Sequence, residues 1–389
     1  MEPLRLEDFD ISPERGMLAC PDPDQQFLPL AFFTWEATAR EIQKLLVTVH
    51  TRERIKNMPL LYADLLADSH MSAAMRVLSF PAHAFVWADP KHPTDWIPKS
   101  VAIPWHHVAT RLGRPPVLSY ASYVLDNWKR IDPSGPIALG NIVLLQNFMG
   151  GIDEEWFILV HVDIEAKAAG ALNGIVHAVN AAWQNEAHKV AVELQNIADA
   201  LEQMYKTLLR MPEYCDPYIY YNRVRPYLYG WKDNQTLPNG VLYEGVKEYE
   251  GKPQQFRGET GAQSGIIPAL DATLGIQFTD DPLLPYLRDM RNYMPPKHRA
   301  FIEELERRSH LRQYVYERQY SFPSLCYAYN ACIDRTAMFR KKHIEYAGEY
   351  IHKWGTQIGT GGTPYMMYLK KHHDETKKHV IEGGSRWIL

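Results

Sequence analysis

Between Glu154 and Met211 the chain runs without a proline, although it carries 27 of them elsewhere. The run reads EEWFILVHVDIEAKAAGALNGIVHAVNAAWQNEAHKVAVELQNIADALEQMYKTLLRM. An interior proline removes a backbone hydrogen bond and kinks or ends a helix, so a stretch this long without one is free to stay helical. Its apolar residues recur at three- and four-residue spacings, the period of a helix face. The spacing predicts two long helices or more, with a break near Asn185. Long helices bury such stripes by packing on one another, which predicts an all-α bundle.

The flanking segments extend this reading. EATAREIQKLLVTVHTRERIKNM, MSAAMRVLSFPAHAFVWAD and VLSYASYVLDNWKRI also carry helical periodicity, separated by proline-bearing connectors such as DPKHPTDWIPKSVAIPW. ALGNIVLLQNF is short and β-branched and reads as a small strand or an apolar turn. PPKHRAFIEELERR places proline in the first turn of a helix, where its missing N–H costs nothing. The character changes at the double glycine Gly150–Gly151. A boundary there divides the chain into a small helical domain, 1–150, and a larger one, 151–389. No repeat or low-complexity segment interrupts either part.

Bulk composition excludes several function classes. A length of 389 residues allows one large or two ordinary domains with a real core. The formal charge of −4, from 42 basic and 46 acidic residues, offers no electrostatic footprint for nucleic acid. Cys20, Cys215, Cys326 and Cys332 show no CxxC spacing, which fits a reduced, cytoplasmic protein. The acidic start MEPLRLEDFD is no signal peptide. No stretch approaches the length of apolar residues a membrane span needs. Aromatics reach 12% of the chain, enough for an aromatic-lined pocket as well as a core.

Chemistry centres on the stretch RKKHIEYAGEYIHKWG, Arg340 to Gly355. At about 100° per residue, its two histidines face opposite ways. His343 shares a stripe with Phe339, Tyr346 and Tyr350; His352 shares one with Lys341, Glu345 and Glu349. His343 is therefore expected inside and His352 in water. A buried neutral imidazole is either a satisfied core histidine or a ligand. A later loop, GTGGTP at Gly359–Pro364, lacks GxGxxG spacing and follows a helix, so it does not read as a phosphate cradle. Its glycines let backbone N–H groups come close to a ligand.

Six segments in order carry a resemblance: VAIPWHHVATRLGRPPVLSYASYVLDNWKR, VRPYLYGWKDN, LPNGVLYEGV, GAQSGIIPALDATLGIQ, MRNYMPPKHRAFIEELE and GTGGT. Together they resemble the indoleamine 2,3-dioxygenase family of haem proteins over nearly the whole chain. The resemblance implies an all-helical fold with a small N-terminal domain capping the substrate pocket of a larger haem-binding domain. It implies haem b, with its iron held by His343. The other ring nitrogen of such a ligand is expected to donate to an acceptor that fixes its orientation. Arg340 and Asp271 match positions beside the haem. Arg225 matches the arginine that holds an amino-acid carboxylate. Tyr120, Phe157, Tyr220 and Tyr221 match walls of the substrate pocket, and Thr360 matches a loop residue near the substrate ammonium.

His161 departs from the animal members, which often carry serine there. It lies on one helical stripe with Phe157, Ile164 and Ala168, so it points inward. It is a core histidine satisfied by a carbonyl, an acceptor for an indole N–H, or a group that tunes bound oxygen. The resemblance implies that O2 adds across the indole C2–C3 bond of L-tryptophan or a related indole to give N-formylkynurenine. Two alternatives stay open: a bacterial enzyme resembling the one that rearranges a chlorinated tryptophan in the pyrrolnitrin pathway, and a haem sensor without turnover. Arg225 speaks against the sensor, which has no use for an amino-acid clamp.

Overall fold

The computed structural model describes residues 2–278, 283–355, 358–362 and 365–382, with the side chains of Met367 and Tyr368 left aside. Four helices precede the double glycine: α1 (Phe33–Leu45), α2 (Thr51–Lys56), α3 (Met71–Val86) and α4 (Lys99–Leu112). Next come α5 (Ile152–Trp183), α6 (Ala187–Leu208) and the single turn α7 (Pro217–Ile219). After these follow α8 (Ile266–Leu274), α9 (Leu284–Met290), α10 (Pro296–Arg308), α11 (Leu311–Arg318), α12 (Pro323–Tyr350) and α13 (Met366–Lys377). Strands are confined to two short ladders among the described residues. β1 (Trp96–Ile97) runs parallel to β4 (Leu242–Tyr243), and β2 (Trp128–Arg130) runs antiparallel to β3 (Ile142–Leu144) with Trp128 opposite Leu144. The fold is all-α.

The proline-free run forms the spine. Asp153, Glu154 and Glu155 occupy the first turn of α5, where their charge complements the helix dipole. The Glu154 carboxylate also accepts the N–H groups of Phe148 (2.7 Å), Met149 (3.0 Å) and Gly150 (3.0 Å), fixing how the chain enters the helix. The expected break occurs at Asn185, whose φ of 59° is a left-handed conformation that asparagine tolerates. The chain then returns as α6. Its buried stripe, including Val190, Leu194, Ile197, Leu201 and Met204, packs between α5 and α12. Leu194 and Ile197 are fully buried, each contributing about 1.5–3 kcal/mol by leaving water. Gly174 lets α5 and α6 approach closely, because a Cβ there would meet Ile197 Cγ1 at 2.7 Å and Glu193 O at 3.0 Å. On the other side of α6, the Cys332 thiol donates to Leu194 O at 3.0 Å.

One segment departs from its expected form. Val117–Ile131 is helical over only part of its length. It makes a π turn at Ala121–Leu125 and then enters β2. Tyr123, Val124, Leu125 and Trp128 are all buried, and a segment buried on every side loses the period that separates helix from strand. The Asn127 side chain turns the backbone: its amide donates to Tyr123 O (3.1 Å) and Gln146 O (2.9 Å), and its oxygen accepts Gln146 N (2.8 Å). ALGNIVLLQNF supplies β3, the strand of its two readings.

Buried apolar residues on both sides of Gly150–Gly151 join one cluster that runs from Leu4 to Ile381. Leu4 is tied to α5 by a reciprocal pair of bonds with the Asn180 side chain, each 2.9 Å. Cys20, Cys215 and Cys332 form no disulfide. No described helix is long and apolar enough to cross a membrane.

Candidate active site

Helix α12 ends at Tyr350, because Ile351 leaves helical geometry at φ −130°, ψ −60°. His352 therefore begins a separate 3₁₀ turn, His352–Trp354, and the stripe through Lys341, Glu345 and Glu349 does not reach it. It is exposed all the same. His343 lies within the helix. Its accessible area alone would put it on the surface. Desolvation, helped by the nearby charges of His161 and Arg340, nevertheless pushes its imidazole down to about 4. A side chain both accessible and dehydrated is open to a bound group.

His83 shows what a satisfied core histidine looks like here. Its Nδ1 donates to Tyr227 O and its Nε2 accepts Leu118 N–H, both at 2.9 Å. His343 differs. Neither of its ring nitrogens has a hydrogen-bond partner among the described residues, so the acceptor expected behind it is not found there. Its neutral ring keeps a lone pair at neutral pH.

His161 lies near enough for its charge to act on His343. Its Nδ1 lies 2.7 Å from Phe157 O. A carbonyl only accepts, so Nδ1 carries the proton and Nε2 is left as an acceptor. Desolvation holds the ring below its ordinary pKa, and therefore neutral. Phe157 packs on it with centroids 4.7 Å apart, and Tyr120 meets it edge-on at 6.2 Å. Phe157 in turn contacts Tyr220 at 4.7 Å. Tyr120, Phe157, His161 and Tyr220 thus form one aromatic wall, drawn from the π turn after α4, from α5 and from the turn after α7.

Arg225 follows Tyr220 in the tight run after α7, where a π turn (Tyr220–Val224) passes into a 3₁₀ turn (Arg225–Leu228). Its residue is 1% exposed. Nη1 donates to the Tyr229 hydroxyl and Nη2 to Ile358 O at 2.7 Å. Tyr229 and Tyr221 lie against the guanidinium at 4.7 and 5.6 Å, and Tyr221 stacks on Trp354. No carboxylate among the described residues pairs with Arg225, and its Nε is buried without a partner. A buried cation lacking an anion is costly, and the spare N–H marks the direction from which one can be received.

The glycine loop is anchored. The Thr360 hydroxyl donates to Glu259 O at 2.5 Å, and Arg257 donates to Gly361 O at 2.6 Å. Thr363 and Pro364 lie outside the described residues. Arg340 and Asp271 meet each other: Nη2 of the arginine reaches the two carboxylate oxygens at 2.9 and 2.6 Å, and Nη1 donates to Thr376 at 2.6 Å. Asp271 stands in the second half of α8.

Two acidic residues at the site escaped the sequence reading. Glu165 is one turn beyond His161 on α5. Its Oε1 accepts the Tyr120 hydroxyl at 2.9 Å and the Ser264 hydroxyl at 2.8 Å; its Oε2 has no partner. Burial pushes this carboxyl up to about 7. A glutamate four residues after an inward histidine was a readable signal. Glu259, in RGETG, offered none.

Among the described residues no three His, Cys, Asp or Glu side chains converge as a metal-ion cage. A single unbonded, neutral histidine with an accessible ring suits an iron that brings four donors of its own, as haem does. The comparisons agree. A family model described as indoleamine 2,3-dioxygenase matches residues 5–354. Human indoleamine 2,3-dioxygenase 2 is 33% identical over 399 residues, spanning 97% of this chain and 96% of its own length. Indoleamine 2,3-dioxygenase of Saccharomyces cerevisiae is 32% identical over 432 residues, with 97% and 94% covered. A protein named myoglobin from Haliotis madaka is 28% identical over 390 residues, with 97% and 99% covered. A match of this extent to the family model, with relatives above 30% identity along almost the whole length, means that the chain belongs to the indoleamine 2,3-dioxygenase family, whose members are haem-dependent dioxygenases.

Proposed function

We propose that this protein opens the indole C2–C3 bond of L-tryptophan, or of a closely related indole amino acid, with O2 to give N-formylkynurenine. The observation that carries the reading is Arg225, a buried guanidinium with a spare Nε–H and no carboxylate partner among the described residues. That arrangement suits a ligand that brings its own carboxylate.

Haem held by His343 supplies the oxygen chemistry when bound. The chain's own residues orient the substrate and exclude water. Arg225 takes the α-carboxylate in a charge-assisted hydrogen bond. Phe157, Tyr120 and Tyr220 flank the indole ring, and Tyr221 backs the arginine. His161 offers Nε2 as acceptor to the indole N–H, since its Nδ1 proton is committed to Phe157 O. The reaction needs no strong base, so a neutral, dehydrated imidazole is adequate. Arg340 and Asp271 stand as a paired charge beside His343 that a propionate can join. The anchored loop around Thr360 lies at the amino-acid end and keeps the reacting groups in register.

Incubating the reduced, haem-loaded protein with L-tryptophan and O2, then weighing the product, tests the proposal. The expected mass is that of tryptophan plus both oxygen atoms. A rearranged product without that gain overturns dioxygenation. O2 uptake that does not depend on substrate overturns the enzymatic reading.

A further inference from the structure

Glu259 is the least compensated of the buried acids. Its residue is 4% exposed. Glu154 receives three backbone N–H groups and Glu165 two hydroxyls. The Glu259 carboxyl receives no hydrogen bond among the described residues. Burial alone pushes it up to about 8, with no cation among them close enough to draw it back.

The backbone around it is placed with little freedom. Glu259 N–H donates to Leu228 O at 3.1 Å, and its carbonyl accepts the Thr360 hydroxyl. Just before it, Gly258 crosses Gly230 so closely that a Cβ on Gly258 would lie 2.2 Å from Gly230 N, and one on Gly230 would lie 2.1 Å from Gly258 N. No other residue fits at that crossing. It seats Glu259 against the RPYLYG run that carries Arg225 and against the glycine loop. The Glu259 charge acts on Tyr120 and Tyr123 in the π turn after α4, and on Tyr220 after α7. Arg225 acts on Tyr220 as well. One wall residue therefore feels an unpaired acid and a cation with a spare donor.

An α-amino acid carries both charges on one carbon. We propose that Glu259 receives the α-ammonium group of the substrate, opposite the hold of Arg225 on the α-carboxylate. This rests on the amino-acid reading given above. A buried carboxylate without a cation is strongly disfavoured, and the substrate supplies the missing cation. The groups facing Glu259 cannot replace it: Tyr120, Tyr123 and Tyr220 all have their hydroxyls pushed upward by burial and stay neutral, and Glu165, which shares Tyr120 with it, is an acid. The free site holds its proton near neutral pH. Binding the ammonium favours the carboxylate, so about one proton leaves to solvent.

The test compares L-tryptophan with indole-3-propionate, which keeps the ring and the carboxylate but lacks the ammonium. Equilibrium binding to the haem-loaded protein is measured by calorimetry under anaerobic conditions. Glu259→Gln is expected to weaken L-tryptophan at least about tenfold, the scale of a charge-assisted hydrogen bond, and to leave indole-3-propionate within about twofold. Glu259→Asp should recover part of the loss. In the parent protein at pH 7, calorimetry in two buffers of different ionisation enthalpy should show proton release with L-tryptophan and none with indole-3-propionate. That arm decides the matter alone if the glutamine variant loses haem or folds poorly. Equal weakening of both ligands, or no proton release in the parent, overturns the role of Glu259 while the proposed reaction stands. A parent that binds indole-3-propionate but not L-tryptophan overturns the amino-acid reading and this proposal with it.

Discussion

Replacing Arg225 with alanine separates recognition from scaffolding. The guanidinium does two jobs in the structure. It ties Tyr229 and Ile358 together through Nη1 and Nη2, and it leaves Nε–H without a partner. Losing the ties loosens the pocket for any ligand. Losing the guanidinium as a carboxylate partner affects only ligands that have a carboxylate. A charge-assisted hydrogen bond contributes about 1.5–3 kcal/mol, or roughly 10- to 150-fold at room temperature. The assay is kcat/KM for L-tryptophan and for tryptamine, which lacks the carboxylate, on parent and variant at matched haem content. The parent should prefer L-tryptophan, and in Arg225→Ala the ratio of the two should fall by at least about tenfold. If both substrates lose the same factor and the ratio holds, Arg225 is only a buried strut, and the substrate assignment loses its main support.

His343→Ala should strip haem during purification or shift the Soret band, with partial restoration by added imidazole; His352→Ala should do neither, and the reverse pattern would refute the assignment. His161→Ser should narrow the gap between L-tryptophan and 1-methyl-L-tryptophan by a few-fold to about tenfold, the value of one neutral hydrogen bond; an unchanged gap would return His161 to the role of a core histidine. Glu165 gives a pH prediction. Its carboxyl is raised from 4.5 to about 7 in the fold, so the native state holds a proton that the unfolded chain has lost. This burden is absent below about 4.5, grows as pH rises towards 7, and is then constant at roughly 3 kcal/mol. Denaturation midpoints of Glu165→Gln and the parent should therefore diverge in favour of the variant between pH 5 and pH 8. Parallel curves would show that the carboxyl titrates normally.

Local rules were enough for much of this molecule. Two long helices broken at Asn185 follow from a proline-free run with a three- and four-residue apolar period, because helix formation is decided by neighbours one turn away. The inward aim of His161 was legible for the same reason. The contrast drawn between His343 and His352 is not reproduced by exposure, since both are exposed and the helix ends before the second of them; only the dehydration of the His343 ring sets it apart. What the sequence could not carry is whatever depends on chain segments far apart. Val117–Ile131 is buried on all sides, so its own pattern no longer separates helix from strand, and Asn127 settled the matter through Gln146. Arg340 meeting Asp271 across 69 positions, Arg225 reaching Ile358 and Glu165 holding Ser264 are distances that only packing sets. Glu259 is the extreme case. Nothing near it in RGETG marks it as buried, and its place follows from two glycines that let their backbones cross and leave an acid with no cation beside it among the described residues.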